Sequence, residues 1–267
     1  MATDFNRLRL RYHDDSEMLD RILQEECRVK CAKKLPATLS NLRFRFPSLA
    51  LAEMCTSDAV AAIHAGMVSP GDKVLDMTAG LGVDTFAFAS SGCHVTAVEL
   101  DAMAVDCLRE NVDTLNLNDR VTVVNADSLE WLSESLEQFD VIFVDPARRD
   151  TGGRHISLRN CMPDITGRMA DLLARAGKVV VKTSPMIDIS AAVKEFGRQP
   201  SHVTVIGTTR ECKEVVFTFA RENVGERMLV ECATVGHGVY KYQKSEPFYA
   251  DPTEGNVLMQ PYPAVMK

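Results

Sequence analysis

From Lys73 onward the chain alternates short apolar, β-rich runs with helical stretches, and no other feature of the sequence limits the fold as strongly. The runs are Val74–Met77, Val95–Leu100, Val121–Val124, Val141–Val144, Val179–Val181, Val203–Gly207 and Val215–Phe219, with helical spacing at 84–91, 102–116, 128–137, 163–176 and 188–198. Strands separated by helices lie parallel, joined by crossovers and buried on both faces. The last run follows its neighbour after only Thr208 to Lys213, so it turns back antiparallel. The expectation is an α/β chain with a Rossmann-like sheet of seven strands, the last one antiparallel, and helices on both faces.

What flanks this core reads differently. Met18, Leu19, Ile22, Leu23 and Val29 recur at near-helical spacing among charges, giving an amphipathic helix over 15–33 capped near Asp15 or Ser16 and closed by Pro36. A second helical stretch, Leu49 to Met67, is interrupted by Thr56, Ser57 and Asp58. These make residues 1–70 an N-terminal helical lid, 71–225 the Rossmann-like domain and 226–267 a C-terminal extension. In that extension Met228 to Val235 has the pattern of one more strand.

Composition excludes several classes. With 267 residues the chain is long enough for one large domain and a smaller appendage. Eight scattered cysteines lack the close pairs of a zinc ribbon or a redox dithiol. Cys27 and Cys31 lie one helical turn apart with no further ligand nearby, so reduced, buried thiols and no metal are expected. No apolar run is long enough to span a membrane, and a cytoplasmic location is expected. The net charge of −7 opposes wholesale coating by nucleic acid. Yet Arg28, Lys30, Lys33, Lys34, Arg43 and Arg45 fall between Cys27 and Phe46 with no acid among them, a basic face or a merely solvated one.

The segment Val74 to Asp84 is a strand, a glycine turn and a helix start, where doubly wound folds hold a ligand. Gly80 and Gly82 permit the tight turn, but the dinucleotide pattern fails because Thr85 stands where a third glycine is required. Asp76 at the strand end repels a pyrophosphate and suits the ammonium and sulfonium of S-adenosylmethionine. Glu99, nineteen residues after Gly80, can accept ribose hydroxyls, and Asp127 followed by Ser128 suits the adenine amino group. Each acid also has the reading of a helix cap. The candidate cofactor residues are Asp76, Thr78, Gly80, Gly82, Asp84, Glu99, Leu100, Asp127, Ser128 and Asp145, with S-adenosylhomocysteine as product.

The fourth run ends in Asp145-Pro-Ala-Arg-Arg-Asp150. It resembles the Asp-Pro-Pro-aromatic motif of methyltransferases acting on exocyclic amines, in which the carboxylate or the adjacent carbonyl accepts the amine hydrogens. Ala147 replaces the second proline and Arg148 the aromatic. A guanidinium stacks on a base or holds a phosphate, and so does that of Arg149. Asp145 and Pro146 are the candidate catalytic residues. Lys182 before Pro185, with Glu211 and Lys213, completes the candidate substrate set. A surface ion pair is the competing reading of Lys182 and of the Glu211–Lys213 pair. His155, beside Gly152 and Gly153, reads as solvent-exposed.

Lys34-Leu-Pro36, Asp76–Asp84, Asp145–Asp150, Cys161-Met-Pro-Asp164, Lys182–Asp188 and Glu211-Cys-Lys-Glu214 together resemble a bacterial, Bacteroidetes-type methyltransferase family in which a THUMP-like domain follows a Rossmann-like one. The catalytic stretch is also similar to the trimethylguanosine synthases. The resemblance implies an RNA substrate, with guanine N2 one target. It also implies that Tyr262 to Lys267 is an interior stretch of the THUMP-like module, from a chain cut short or a natural short form. Three readings stand: methyl transfer to RNA, methyl transfer to a protein or small molecule, and a cofactor-retaining RNA scaffold without chemistry. An NAD oxidoreductase ranks last.

Overall fold

The computed structural model describes residues 3–148, 157–222 and 228–243. The chain divides into two compact units, Met1–Leu136 and Glu137–Lys267.

In the first unit four helices precede the sheet: α1 (Phe5–Arg11), α2 (Ser16–Cys31), α3 (Leu49–Met54) and α4 (Asp58–Ala65). Asp15 caps α2, its carboxylate accepting the Met18 N–H. The stretch expected as one helix from Leu49 to Met67 is two, because Cys55 turns extended and the Ser57 hydroxyl starts α4 by capping Val60. Then come β1 (Lys73–Asp76), α5 (Val83–Ser90), β2 (His94–Glu99), α6 (Ala102–Thr114), β3 (Val121–Asn125) and α7 (Ser128–Glu134). The strands run parallel in the order β1-β2-β3.

The helices belong to the body of this unit. Cys27 and Cys31 on α2 point their thiols at the carbonyls of Ser48 and Ala52 on the α3 side. Burial pushes the Cys27 thiol up to about 12 and raises that of Cys31 as well. Phe44 and Phe46 are buried edge to face, and Phe44 meets Phe86 of α5 in the same way. Asn111 of α6 accepts the Arg45 N–H and donates to the Arg45 carbonyl.

The second unit opens with β4 (Phe139–Val144) and a two-stranded ladder of β5 (Ala147–Arg148) and β6 (Cys161–Met162). It continues with β7 (Ala176–Thr183) after α8 (Met169–Arg175), then α9 (Ile189–Phe196), β8 (His202–Gly207), β9 (Cys212–Ala220), β10 (Leu229–Thr234) and β11 (Gly238–Gln243). Strand order is β4-β7-β9-β8-β10-β11. β9 runs antiparallel to both β7 and β8, the reversal expected from the short loop before it. Phe196 of α9 packs against Phe217 and Phe219 of β9.

Seven sheet strands are expected from the sequence; among the described residues nine are found, three in the first unit and six in the second, with the β5–β6 ladder apart from them. The two additions lie beyond Arg221. Leu229–Thr234 pairs parallel with β8 over its whole length, burying Val230, Cys232 and Ala233, and Gly236 and Gly238 then let β11 fold back on it. Residues placed by sequence in a separate extension therefore continue the sheet.

Candidate cofactor turn and candidate transfer strand

In the first unit the C-terminal ends of three adjacent parallel strands each present a carboxylate. Asp76 ends β1, Glu99 ends β2, and Asp127 follows β3 by two residues. Their own hydrogen bonds differ. Asp76 is buried; its Oδ1 accepts the Thr78 N–H at 3.1 Å and its Oδ2 the Thr85 hydroxyl at 2.6 Å. It braces the glycine turn at both ends. Glu99 accepts the Gly80 N–H at 2.9 Å through Oε2 and the Asp101 N–H at 2.9 Å through Oε1, tying β2 to the turn of β1. Asp127 is the N-cap of α7, its Oδ1 accepting the Leu129 and Glu130 N–H groups. For Asp127 the helix-cap reading holds, and the same side chain keeps its second oxygen for other partners. Ser128 is buried in the first turn of α7, and Leu100 is exposed beside Glu99.

The two glycines serve different ends. Gly80 sits at φ +54°, where a β-carbon would meet only Leu51 at 3.8 Å and the Thr78 carbonyl at 3.9 Å. Gly82, at φ +89°, caps α5, and a β-carbon there would strike Leu108 at 2.4 Å and Phe86 at 2.6 Å. The first keeps the turn open; the second leaves room for side chains of α5 and α6 against the turn. Asp84, in the first turn of α5, is engaged with the N-terminal helices: its Oδ2 accepts the Thr56 hydroxyl at 2.6 Å and its Oδ1 lies 2.7 Å from His64 Nδ1.

In the second unit Asp145 follows β4 and Lys182 lies in β7. The Lys182 ammonium donates to Asp145 Oδ2 at 2.5 Å and stands 3.8 Å from Glu214 Oε2 of β9. The lysine and Glu214 side chains are 10% and 7% exposed, whereas that of Asp145 is 40% exposed, so the buried cation holds a carboxylate that still reaches solvent. A buried ammonium is stable only when paired. Pro146 is half-buried. Glu211 and Lys213 pair with each other at the exposed start of β9 and reach neither Asp145 nor Lys182 among the described contacts. The residue that does reach Lys182, Glu214, escapes the sequence reading; its signal is a charge set flush against Val215-Val-Phe217. Arg148 is placed only by its backbone, paired with Cys161. Arg149 and His155 lie outside the described residues.

The basic run from Cys27 to Phe46 is largely taken up within the fold. Arg28 donates to the carbonyls of Leu42 and Phe44, Lys30 pairs with Glu53 at 2.6 Å, and Lys34 donates to the Glu53 carbonyl. Arg45 pairs with Asp20 and Glu110. Lys33 and Arg43 alone of the six make no side-chain ion pair or hydrogen bond among the described residues. No group of acids, cysteines and histidines among the described residues could hold a metal, and no helix there is long and apolar enough to cross a membrane.

Residues 8–150, more than half of the chain, match the family described as "Putative SAM-dependent methyltransferase". The chain belongs to this SAM-dependent methyltransferase family. The matched span holds the glycine turn, all three strand-end acids and Asp145. Among curated relatives, "Ribosomal RNA small subunit methyltransferase J" of Chromobacterium violaceum is 37% identical over 98 residues, 33% of this chain and 38% of that protein. The protein of the same name from Shewanella baltica is 36% identical over 130 residues, 42% of this chain and 52% of that one. The chain thus spans about a third to a half of the length of these relatives. A crystal structure from Porphyromonas gingivalis W83, described as a "putative methyltransferase", superimposes with a TM-score of 0.78 at 21% identity, covering 99% of this chain and 68% of that one. That likeness shows the α/β methyltransferase fold.

The cofactor of the family is S-adenosylmethionine, and the first unit fits it by the hydrogen-bond acceptors it presents. Three carboxylates suit an ammonium, a ribose diol and an amine, and an open turn at Gly80 admits close backbone approach.

Proposed function

We propose that this methyltransferase acts on a base nitrogen of ribosomal RNA, an exocyclic amine such as guanine N2, with Asp145 and Pro146 orienting the acceptor. One observation carries the reading: Asp145 directly follows β4, reaches solvent, and is held by a buried lysine. A carboxylate paired with an ammonium accepts hydrogen bonds and donates none, which suits a methyl acceptor that carries N–H groups. S-adenosylmethionine supplies the electrophilic methyl when bound. The protein's part is alignment: Asp145 accepts hydrogen bonds from the amine N–H groups, which sharpens the nitrogen lone pair, and the proton released from the methylated nitrogen leaves to solvent, while Pro146 fixes the backbone beside it.

The names of the relatives support ribosomal RNA as the acceptor. Asp76, Thr78, Gly80, Gly82, Asp84, Glu99, Leu100, Asp127 and Ser128 are proposed to form or brace the cofactor site, and Arg148 and Arg149 to meet the nucleic acid. Lys182 is assigned to Asp145, since its ammonium is already committed there. Residues 226–267 are proposed as the start of a THUMP-like module; of these, β10 and β11 pair into the sheet.

A protein or small-molecule acceptor has one observation in its favour, the internal pairing of Arg28, Lys30, Lys34 and Arg45. The deciding experiment incubates the chain with S-adenosylmethionine carrying a tritiated methyl group, with ribosomal RNA, small ribosomal subunits and a protein extract in parallel. Label in RNA that digests to a methylated guanosine supports the proposal. Label confined to protein or small molecules overturns it.

A further inference from the structure

The mechanism above leaves one buried cluster unused. His64, in the last turn of α4, is fully buried, and its Nδ1 faces Asp84 Oδ1 at 2.7 Å. Thr56, in the loop before α4 and also buried, donates to Asp84 Oδ2 at 2.6 Å. Asp84 itself is 12% exposed on its side chain and sits in the first turn of α5, directly after the glycine turn. Its chain neighbour Thr85 donates to Asp76 at the end of β1. Two consecutive residues therefore pin the start of α5 in two directions, Thr85 to the sheet and Asp84 to the N-terminal helices. Leu51 of α3 stands over Gly80 on the same side.

We infer that Thr56 and His64 are positioning residues for the cofactor turn: by holding Asp84 they fix the start of α5, and through it the backbone from Thr78 to Asp84 on which cofactor affinity depends. A carboxylate is drawn to the N-terminus of a helix, but left to itself it is free to swing to solvent. Two donors from a different part of the chain remove that freedom before any ligand arrives, which is the condition for tight binding without reorganisation. The N-terminal helices then act as a fixed wall of the cofactor site and set its affinity with residues outside the Rossmann-like strand-turn-helix.

The inference rests on the S-adenosylmethionine reading for one of its two measurements only. Isothermal titration of the full chain with S-adenosylhomocysteine is expected to show affinity weakened about tenfold by Thr56→Val or His64→Leu, the size of loss seen when a partner that orients a ligand-holding group is removed. Thr56→Ser keeps the hydroxyl, and His64→Asn keeps an N–H where Nδ1 lies, so both are expected to stay within about twofold of the unsubstituted chain. Unchanged affinity in the Val and Leu variants overturns the inference, as does equal loss in the conservative ones, which would make packing the cause. Hydrogen exchange of the amides from 78 to 86 is the second measurement, with faster exchange expected in Thr56→Val. If the unsubstituted chain binds no S-adenosylhomocysteine, the cofactor reading fails on its own, and this exchange decides: unchanged protection overturns the inference. Thr56→Val, nearly isosteric, decides alone should His64→Leu not fold.

Discussion

The glycine turn of the first unit and the Asp145 strand of the second use carboxylates in opposite ways. Around the turn, Asp76, Glu99 and Asp127 accept backbone N–H groups, so acids hold the main chain in place. Beyond β4 the acid is the group being held, with Lys182 and Glu214 behind it. The difference fits the two tasks proposed for them. A site that must present backbone to a ligand needs a rigid turn; a group that must meet a reacting atom needs a fixed charge and an open face.

The sharpest way to break this contrast is Asp145→Ala. Turnover on the RNA proposed as acceptor is expected to fall about a hundredfold to a thousandfold, in the range for loss of one positioned polar group, while affinity for S-adenosylhomocysteine stays within a few fold. Retained turnover in the label-transfer assay would remove Asp145 from the reaction. Next in size is Lys182→Met, which leaves Glu214 buried without its cation. Denaturant unfolding should register a loss of about 3 kcal/mol, and adding Glu214→Leu should restore most of it. Equal losses in the single and double variants would show that the two side chains do not act as a pair.

Gly82→Ala tests the turn side of the comparison. The new methyl collides with Leu108 and Phe86 at a positive φ, so a loss of about 2 kcal/mol in unfolding free energy is expected. A neutral result would mean that the Leu108 and Phe86 side chains give way without cost. The smallest effect concerns the thiols of the first unit. Burial pushes Cys27 and Cys107 up to about 12 from 9.0. Below 9 both folded and unfolded thiols are neutral and the preference for the folded form is fully present; above it the unfolded thiol ionises first. Stability should therefore decline as pH rises from 9 toward 12, and Cys27→Ala with Cys107→Ala should flatten that decline in pH-dependent melting.

The sheet was legible because its strands are continuous apolar runs, and all seven expected runs lie within observed strands or overrun them by one residue. The glycine turn and its acids were legible because the ligand end of such a sheet has a fixed place in the chain. What escaped depends on pairings across the fold. The basic run reads as a face until Asp20, Glu53 and Glu110 arrive from outside it. Asp84 reads as a ligand contact, and its partners Thr56 and His64, 28 and 20 residues earlier, show only in the fold. Glu214 was passed over for Glu211 and Lys213 because a strand alternates its side chains, and only the register of β9 against β7 brings Glu214 toward Lys182.

The pairing of β10 along β8 has a practical meaning for anyone who would cut this chain. Six residues of β8, from His202 to Gly207, find partners in Leu229 to Thr234. A fragment ending at residue 225, the natural place to trim if only the Rossmann-like core were wanted, would strip that flank and leave a row of unmet amides and carbonyls beside Val203, Val205 and Ile206. Such an edge is sticky toward any other strand, including the same strand of a neighbouring molecule. A fragment that keeps this flank of β8 paired therefore carries the hairpin through Gln243.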